Sequence, residues 1–146
     1  MREHEIYHLI AKHLQENYPD VIYRFDLAAD LKLTIGQARK HKTLHPHRGY
    51  PDLFIAQPRL YWSDLEDFDG DYGLYLEIKK DGETLYPGPR AKKRFKSLDG
   101  NEYKTEHLME QADVLFNLRQ AGYAADFAIG FDEAVEIIDE YLGGKK

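Results

Sequence analysis

The sequence predicts an α/β domain built around one mixed sheet, on three observations. Short runs of branched and aromatic residues have the length of strands, and between them lie stretches with apolar residues at helical spacing. Strands and helices interleave along the chain rather than segregating. The 146 residues suit a single domain, and with 42% hydrophobic and 13% aromatic residues they hold enough apolar surface for a core. That composition excludes a disordered chain. The absence of cysteine excludes a disulfide framework, a zinc ribbon and a thiol nucleophile. The apolar runs fall far short of the ~20 residues of a membrane helix, and Met1–Glu5 carries no apolar signal core. The expectation is one soluble cytoplasmic domain over residues 1–146.

The elements follow in order. Residues 3–18 read as a helix, with Ile6, Leu9, Ile10, His13 and Leu14 at helical spacing and Pro19 as its stop. Residues 21–27 (VIYRFDL) form a first strand. A long polar segment follows, in which Thr34 caps a short helix to about Lys42. Gly49-Tyr50-Pro51 is a turn, and residues 52–56 make a second strand whose continuous apolar run suggests cover on both faces. Residues 59–73 are an acidic, aromatic loop around Trp62 and Phe68, and residues 74–80 (LYLEIKK) are a third strand. Residues 81–105 read as a long basic loop broken by Gly82, Pro87, Gly88 and Pro89. Residues 106–121 are a helix with Leu108, Ala112, Leu115, Phe116 and Leu118 inward, ended by Gly122. A fourth strand, 123–129, and a last helix, 131–142, precede a Gly-Gly-Lys-Lys tail expected to fray. The result is a central mixed four-stranded sheet flanked by helices.

The net charge is −6, yet the charge is unevenly placed. Residues 31–50 hold five Lys/Arg and no acid, and residues 79–104 hold eight Lys/Arg against four acids. Two basic segments on an acidic background can focus a polyanion at one place; as solvated loops they need no function.

The third strand carries the chemistry. Alternation puts Leu74, Leu76 and Ile78 on one face and Tyr75, Glu77 and Lys79 on the other. The second strand opens with Pro51-Asp52. If the two strands are neighbours, Asp52 and Glu77 converge at one end of the sheet. Two carboxylates plus the Ile78 carbonyl offer an oxygen-only site suited to a hard cation, which activates water and stabilises charge on a phosphate. Lys79 beside it would neutralise a phosphate oxyanion or orient the water. Taken singly, Glu-x-Lys on a strand is most often a solvated face and Pro-Asp ordinary turn chemistry.

Pro51-Asp52 and Glu77-Ile78-Lys79 together resemble the PD-(D/E)XK nuclease pattern. More narrowly, the chain resembles a stand-alone VRR-NUC domain of the kind found in phages and bacteria. The likeness runs from the opening Glu3-His4-Glu5-Ile6 through Gly49-Tyr50-Pro51-Asp52-Leu53 and Leu76-Glu77-Ile78-Lys79-Lys80. It continues with Glu106-His107-Leu108-Met109-Glu110-Gln111, the Ala121-Gly122-Tyr123 turn and Gly130-Phe131-Asp132-Glu133-Ala134. The link between the second and third motifs is longer than usual, with residues 61–72 as an added acidic loop. The resemblance implies a restriction-endonuclease-like core, α-β-β-β-α-β plus a C-terminal helix. It implies Glu3, Asp52 and Glu77 as metal-binding carboxylates, Lys79 as the catalytic lysine, and Gln111 bracing the site or a phosphate. Glu3 shares a helix face with Ile6 and Ile10; as a plain helix-start acid it would be favoured by the macrodipole.

The expected activity is Mg²⁺- or Mn²⁺-dependent endonucleolytic cleavage of DNA, selective for structures such as flaps or four-way junctions, in a bacterial or phage-infected cell. Symmetric cuts at a junction would ask for a homodimer. Lys40, Lys80, Arg90, Lys92, Lys93, Arg94 and Lys104 are the candidate phosphate contacts. Tyr86, Phe95 and Tyr103 either stack on unpaired bases or pack their loops down. His41, His45 and His47 lack a second Cys or His cluster to complete a transition-metal site, and join the basic DNA-facing segment. The competing classes are a non-catalytic nucleic-acid-binding or phage accessory protein on the same fold, and an RNA nuclease.

Overall fold

The computed structural model describes residues 1–26, 32–61 and 69–143. The elements, in chain order, are α1 (Glu3–Asn17), β1 (Tyr23–Phe25), α2 (Ile35–Leu44), β2 (Leu53–Ile55), β3 (Arg59–Leu60), β4 (Gly70–Asp71) and β5 (Leu74–Lys79). They continue with β6 (Phe95–Lys96), β7 (Glu102–Tyr103), α3 (Glu106–Gln120), β8 (Ala124–Ile129) and α4 (Gly130–Tyr141).

The main sheet has the order β1-β2-β5-β8, with β5 central. β2 is antiparallel to both β1 and β5, in the register Leu53↔Leu76, and β5 is parallel to β8 from Leu74↔Ala124 to Lys79↔Ile129. The parallel pair requires a crossover, which α3 supplies. The expected mixed four-stranded sheet is therefore the one that forms.

Every residue of β5 is buried, because helices cover both faces. Leu74, Leu76 and Ile78 point toward α1 and α4 and meet Ile6, Ile10, Leu14, Ala134 and Ile138. Tyr75 points the other way and joins Leu108, Ala112 and Leu115 of α3 with Ala125 and Phe127 of β8. Each fully buried Leu or Ile contributes roughly 1.5–3 kcal/mol, so the first layer holds the sheet and α1 together. The alternation read from the sequence is right. The side carrying Glu77 and Lys79 is nevertheless not the solvated face that a lone Glu-x-Lys would suggest, since α3 lies over it.

Four other expectations change. In α1 the buried residues are Ile6, Tyr7, Ile10 and Leu14, whereas Leu9 is 37% exposed; Tyr7 stacks on Phe25 of β1 instead. In α3, Gln111 is buried and Phe116 and Leu118 are half-buried. The acidic insertion opens and closes on a short ladder, β3 with β4. Arg59 ties this ladder to Asp71 at 3.0 Å and to Glu140 of α4 at 3.2 Å, with its guanidinium over the Tyr141 ring. The basic segment holds a hairpin, β6 with β7, pinned where Ser97 donates to Asp113 of α3 at 2.7 Å. The helix expected after Thr34 is present as α2, with Thr34 and Gln37 forming a capping box. Leu27, Trp62, Phe68 and the last three residues lie outside the described residues. Among the described residues, no helix is long and apolar enough to cross a membrane.

The α1 packing gives a direct check. Ile10→Ala should lower the unfolding free energy by ~2–5 kcal/mol, and Leu9→Ala by under about 1 kcal/mol. Urea denaturation of the two variants measures both.

Candidate active site

The site is built where β2 begins and β5 ends. Continuing the β2–β5 register places Pro51 opposite Ile78 and Asp52 opposite Glu77. Proline has no amide to donate, and the regular ladder stops at Leu53. The Asp52 side chain takes over, its Oδ2 accepting the Ile78 N–H at 2.7 Å. The Asp52 carbonyl accepts the Asp26 N–H at 2.8 Å on the other side. Asp52 is thereby held beside Glu77.

Glu77 is 3% exposed, and its Oε1 is buried with no hydrogen-bond partner. Burial, and then the adjacent Asp52 carboxylate, push its carboxyl well above the usual range; Lys79 pulls it down and Glu3 adds to the rise. Lys79, 7% exposed, places Nζ 4.0 Å from Glu77 Oε2 and donates to Gln111 Oε1 at 2.8 Å. Gln111 is 5% exposed on α3. Glu77, Lys79 and Gln111 are thus gathered into one buried polar group, with Asp52 beside it.

The sequence did not point to Tyr7. Its hydroxyl is in hydrogen-bonding contact with Asp52, and its pKa is raised by burial first, then by Asp52, Glu3 and Glu77. It stays protonated and serves Asp52 as a donor. The signal was its spacing, one helical turn after Glu3.

Glu3 is half-buried at the start of α1, near enough to raise both Tyr7 and Glu77. Yet among the described residues no three His, Asp or Glu side chains gather closely enough to enclose an ion. The three-carboxylate set expected from Glu3, Asp52 and Glu77 is not assembled. Two carboxylates remain a sufficient protein contribution for Mg²⁺, which keeps several waters and takes substrate phosphates. An oxygen-only donor set with an orphaned buried carboxylate oxygen fits such a cation. An unpaired buried polar atom costs roughly 1–3 kcal/mol, and a bound cation would offset that cost.

These groups open on a cleft of about 370 Å³ lined by Asp26, Asp52, Glu77 and Gln111. Its other wall is imidazole: His41, His45 and His47 from α2 and the segment after it, and His107 from the first turn of α3. The His41 and His45 rings stack at 4.6 Å. The sequence placed the first three in a basic loop; their arrival at the carboxylates depends on Gly49. Gly49 has φ +76, and a Cβ there would lie 3.1 Å from the Gln111 backbone. A side chain there would crowd the α3 backbone and strain the positive φ, so glycine suits this crossing. Arg48 adds an ion pair to Glu110 at 3.4 Å.

Lys40, Lys80, Arg90, Lys92 and Lys93 are exposed. Arg94 and Lys104 are already engaged within the protein. Arg94 reaches Glu102 at 3.6 Å and the Gly88 carbonyl, and Lys104 reaches Glu83 at 3.5 Å and Thr84 at 2.8 Å. Such exposed pairs contribute under about 1 kcal/mol, so a phosphate can displace them. Of the aromatics set in the basic segment, Tyr103 is buried against Phe127 while Tyr86 is exposed.

Oxygen donors and a buried lysine thus meet at one end of a mixed sheet. No protein-family model matches the sequence, and no curated protein does. Among solved structures, one described as "VRR_NUC domain protein" superposes with a TM-score of 0.61 at 22% identity, covering 99% of this chain and 92% of that one. The chain has the fold of that VRR_NUC domain protein, as the motifs led us to expect.

Burial of Glu77 predicts a pH dependence. Its folded pKa is raised, so the folded chain binds the proton more tightly than the unfolded chain. Stability from this group is full below its ordinary value near 4.5 and is lost as pH rises toward the folded value. In chelator, the urea midpoint of the wild type should fall between about pH 5 and pH 8 relative to that of Glu77→Gln.

Proposed function

We propose that the chain is a metal-dependent endodeoxyribonuclease, acting as a single domain over residues 1–146 on flapped or branched DNA. The observation that carries this reading is the buried Glu77–Lys79–Gln111 group with Asp52 held across the sheet beside it. When bound by Asp52, Glu77 and the Ile78 carbonyl, with Glu3 nearby, a Mg²⁺ or Mn²⁺ ion would supply Lewis acidity and a water of lowered pKa.

The protein's own groups do the rest. Tyr7 and the Ile78 amide fix the Asp52 carboxylate. Gln111 accepts from Lys79 Nζ and so holds the ammonium beside Glu77, where it would neutralise charge building on the phosphate. Burial keeps this charge unscreened, so it counts for more than a surface lysine would. Lys40, Lys80, Arg90, Lys92 and Lys93, with Arg94 and Lys104 once released from their acids, hold the DNA backbone without reading bases. A two-fold homodimer would suit a symmetric junction.

Glu77→Gln and Lys79→Ala should each reduce Mg²⁺-dependent cleavage of flapped DNA by at least ~10²-fold. Mn²⁺ should raise the melting temperature of the wild type and leave that of Glu77→Gln unchanged. Cleavage at the wild-type rate by either variant would exclude this site. Replacing Arg90, Lys92 and Lys93 by Ala should lower the slope of log affinity against log salt by up to ~3, with little change in melting temperature. A fluorescence-anisotropy salt titration measures the slope.

A further inference from the structure

A second cavity, of about 280 Å³, opens directly beside the catalytic cleft and shares Asp26, His45 and Tyr50 with it as a common wall. Its chemistry differs. The cleft presents carboxylates, whereas this pocket is walled by Tyr50, Phe54 and Tyr75. Phe54 stacks on Tyr75 at 4.4 Å, and Tyr50 meets Tyr75 edge-on at 5.8 Å. The Tyr50 and Tyr75 hydroxyls share a hydrogen bond at 3.4 Å, and burial keeps the Tyr75 hydroxyl neutral. Tyr75 is buried and Phe54 half-buried, but Tyr50 is 43% exposed and forms the open side of the pocket. Arg24, Asp26 and His45 supply polar edges. The Asp26 amide donates to the Asp52 carbonyl at 2.8 Å, which ties the shared wall to the carboxylate site.

The size decides what fits. The volume equals roughly nine waters at about 30 Å³ each, room for a single planar heterocycle and too little for a base pair. Aromatic walls with a few polar groups at their edge are what an unpaired base needs: any base offers a face to stack, and its edge takes hydrogen bonds. A base inside a duplex reaches such a pocket only by unstacking and unpairing, at a cost of a few kcal/mol.

We propose that this pocket takes one unpaired nucleobase next to the scissile phosphate, so that the preferred substrate is single-stranded or flapped DNA rather than continuous duplex. The proposal rests on the nuclease reading and adds a specificity site to it. Tyr50 is its most accessible aromatic wall; Asp26 and His45 join it to the phosphate side.

The test uses the full chain in Ca²⁺ with a labelled single strand, a flapped duplex and a blunt duplex of one sequence, each carrying 2-aminopurine at successive positions. Wild type should bind the single strand and the flap at least tenfold more tightly than the blunt duplex. The fluorescence of one 2-aminopurine position should be quenched on binding. Tyr50→Ala should abolish that quenching and weaken the single strand and flap by roughly tenfold while leaving the blunt duplex unchanged; Tyr50→Phe, which keeps the ring, should restore both. Equal losses on all three substrates, or quenching that survives Tyr50→Ala, would overturn the pocket. If Mg²⁺-dependent cleavage is lost in Glu77→Gln yet single strand, flap and duplex are bound alike, the pocket fails and the nuclease reading stands. Binding to none of the three overturns both.

Discussion

A carboxylate buried in the middle of a sheet has to be explained by what surrounds it. Glu77 sits at 3% exposure between β2 and β8, under α3, with one oxygen unpartnered and a second carboxylate beside it. Burying a charge this way is costly unless it is paired, and Lys79 at 4.0 Å is only a partial partner because its best hydrogen bond goes to Gln111. The rest of the molecule is arranged around this constraint. The parallel β5–β8 pair and its crossover helix deliver Gln111, the end of β2 delivers Asp52, and α1 delivers Tyr7 and Glu3.

The two apolar layers explain why the arrangement holds. The layer with α1 and α4 contains most of the fully buried Leu and Ile side chains and anchors β5 from one side. The layer with α3 is more aromatic and includes Tyr75 and Phe127. It grades into the cleft through Tyr75, Phe54 and Tyr50, so the packing of the core and the lining of the site are continuous. Residues that fix the fold and residues that line the cleft are neighbours on the same strand.

Much of this was legible in the sequence, for reasons that can be named. The branched and aromatic runs and the period-2 pattern of residues 74–79 gave the strand and the faces of Glu77 and Lys79. Pro51-Asp52 marked where its neighbour begins. The helix cap at Thr34 was readable from local chemistry. What was not legible depends on contacts distant in sequence. The burial of Glu77 follows from α3 lying across the sheet, and no local pattern records that. Tyr7 in place of Leu9 reflects a stacking contact with Phe25. The imidazole wall follows from Gly49 crossing α3 at Gln111, which turns three histidines that looked like part of a solvated basic segment toward the carboxylates. The hairpin at Phe95 and Tyr103 is held by Asp113, a partner outside the segment.

The proposed nuclease activity requires Asp52 and Glu77 together to hold a hard cation. Anomalous diffraction from crystals grown with Mn²⁺ tests it most directly. The account predicts one peak within about 2.0–2.6 Å of oxygens of both carboxylates, lost in crystals of Glu77→Gln. A well-ordered cleft with no peak at saturating Mn²⁺, or a peak bound elsewhere on the chain, would contradict it.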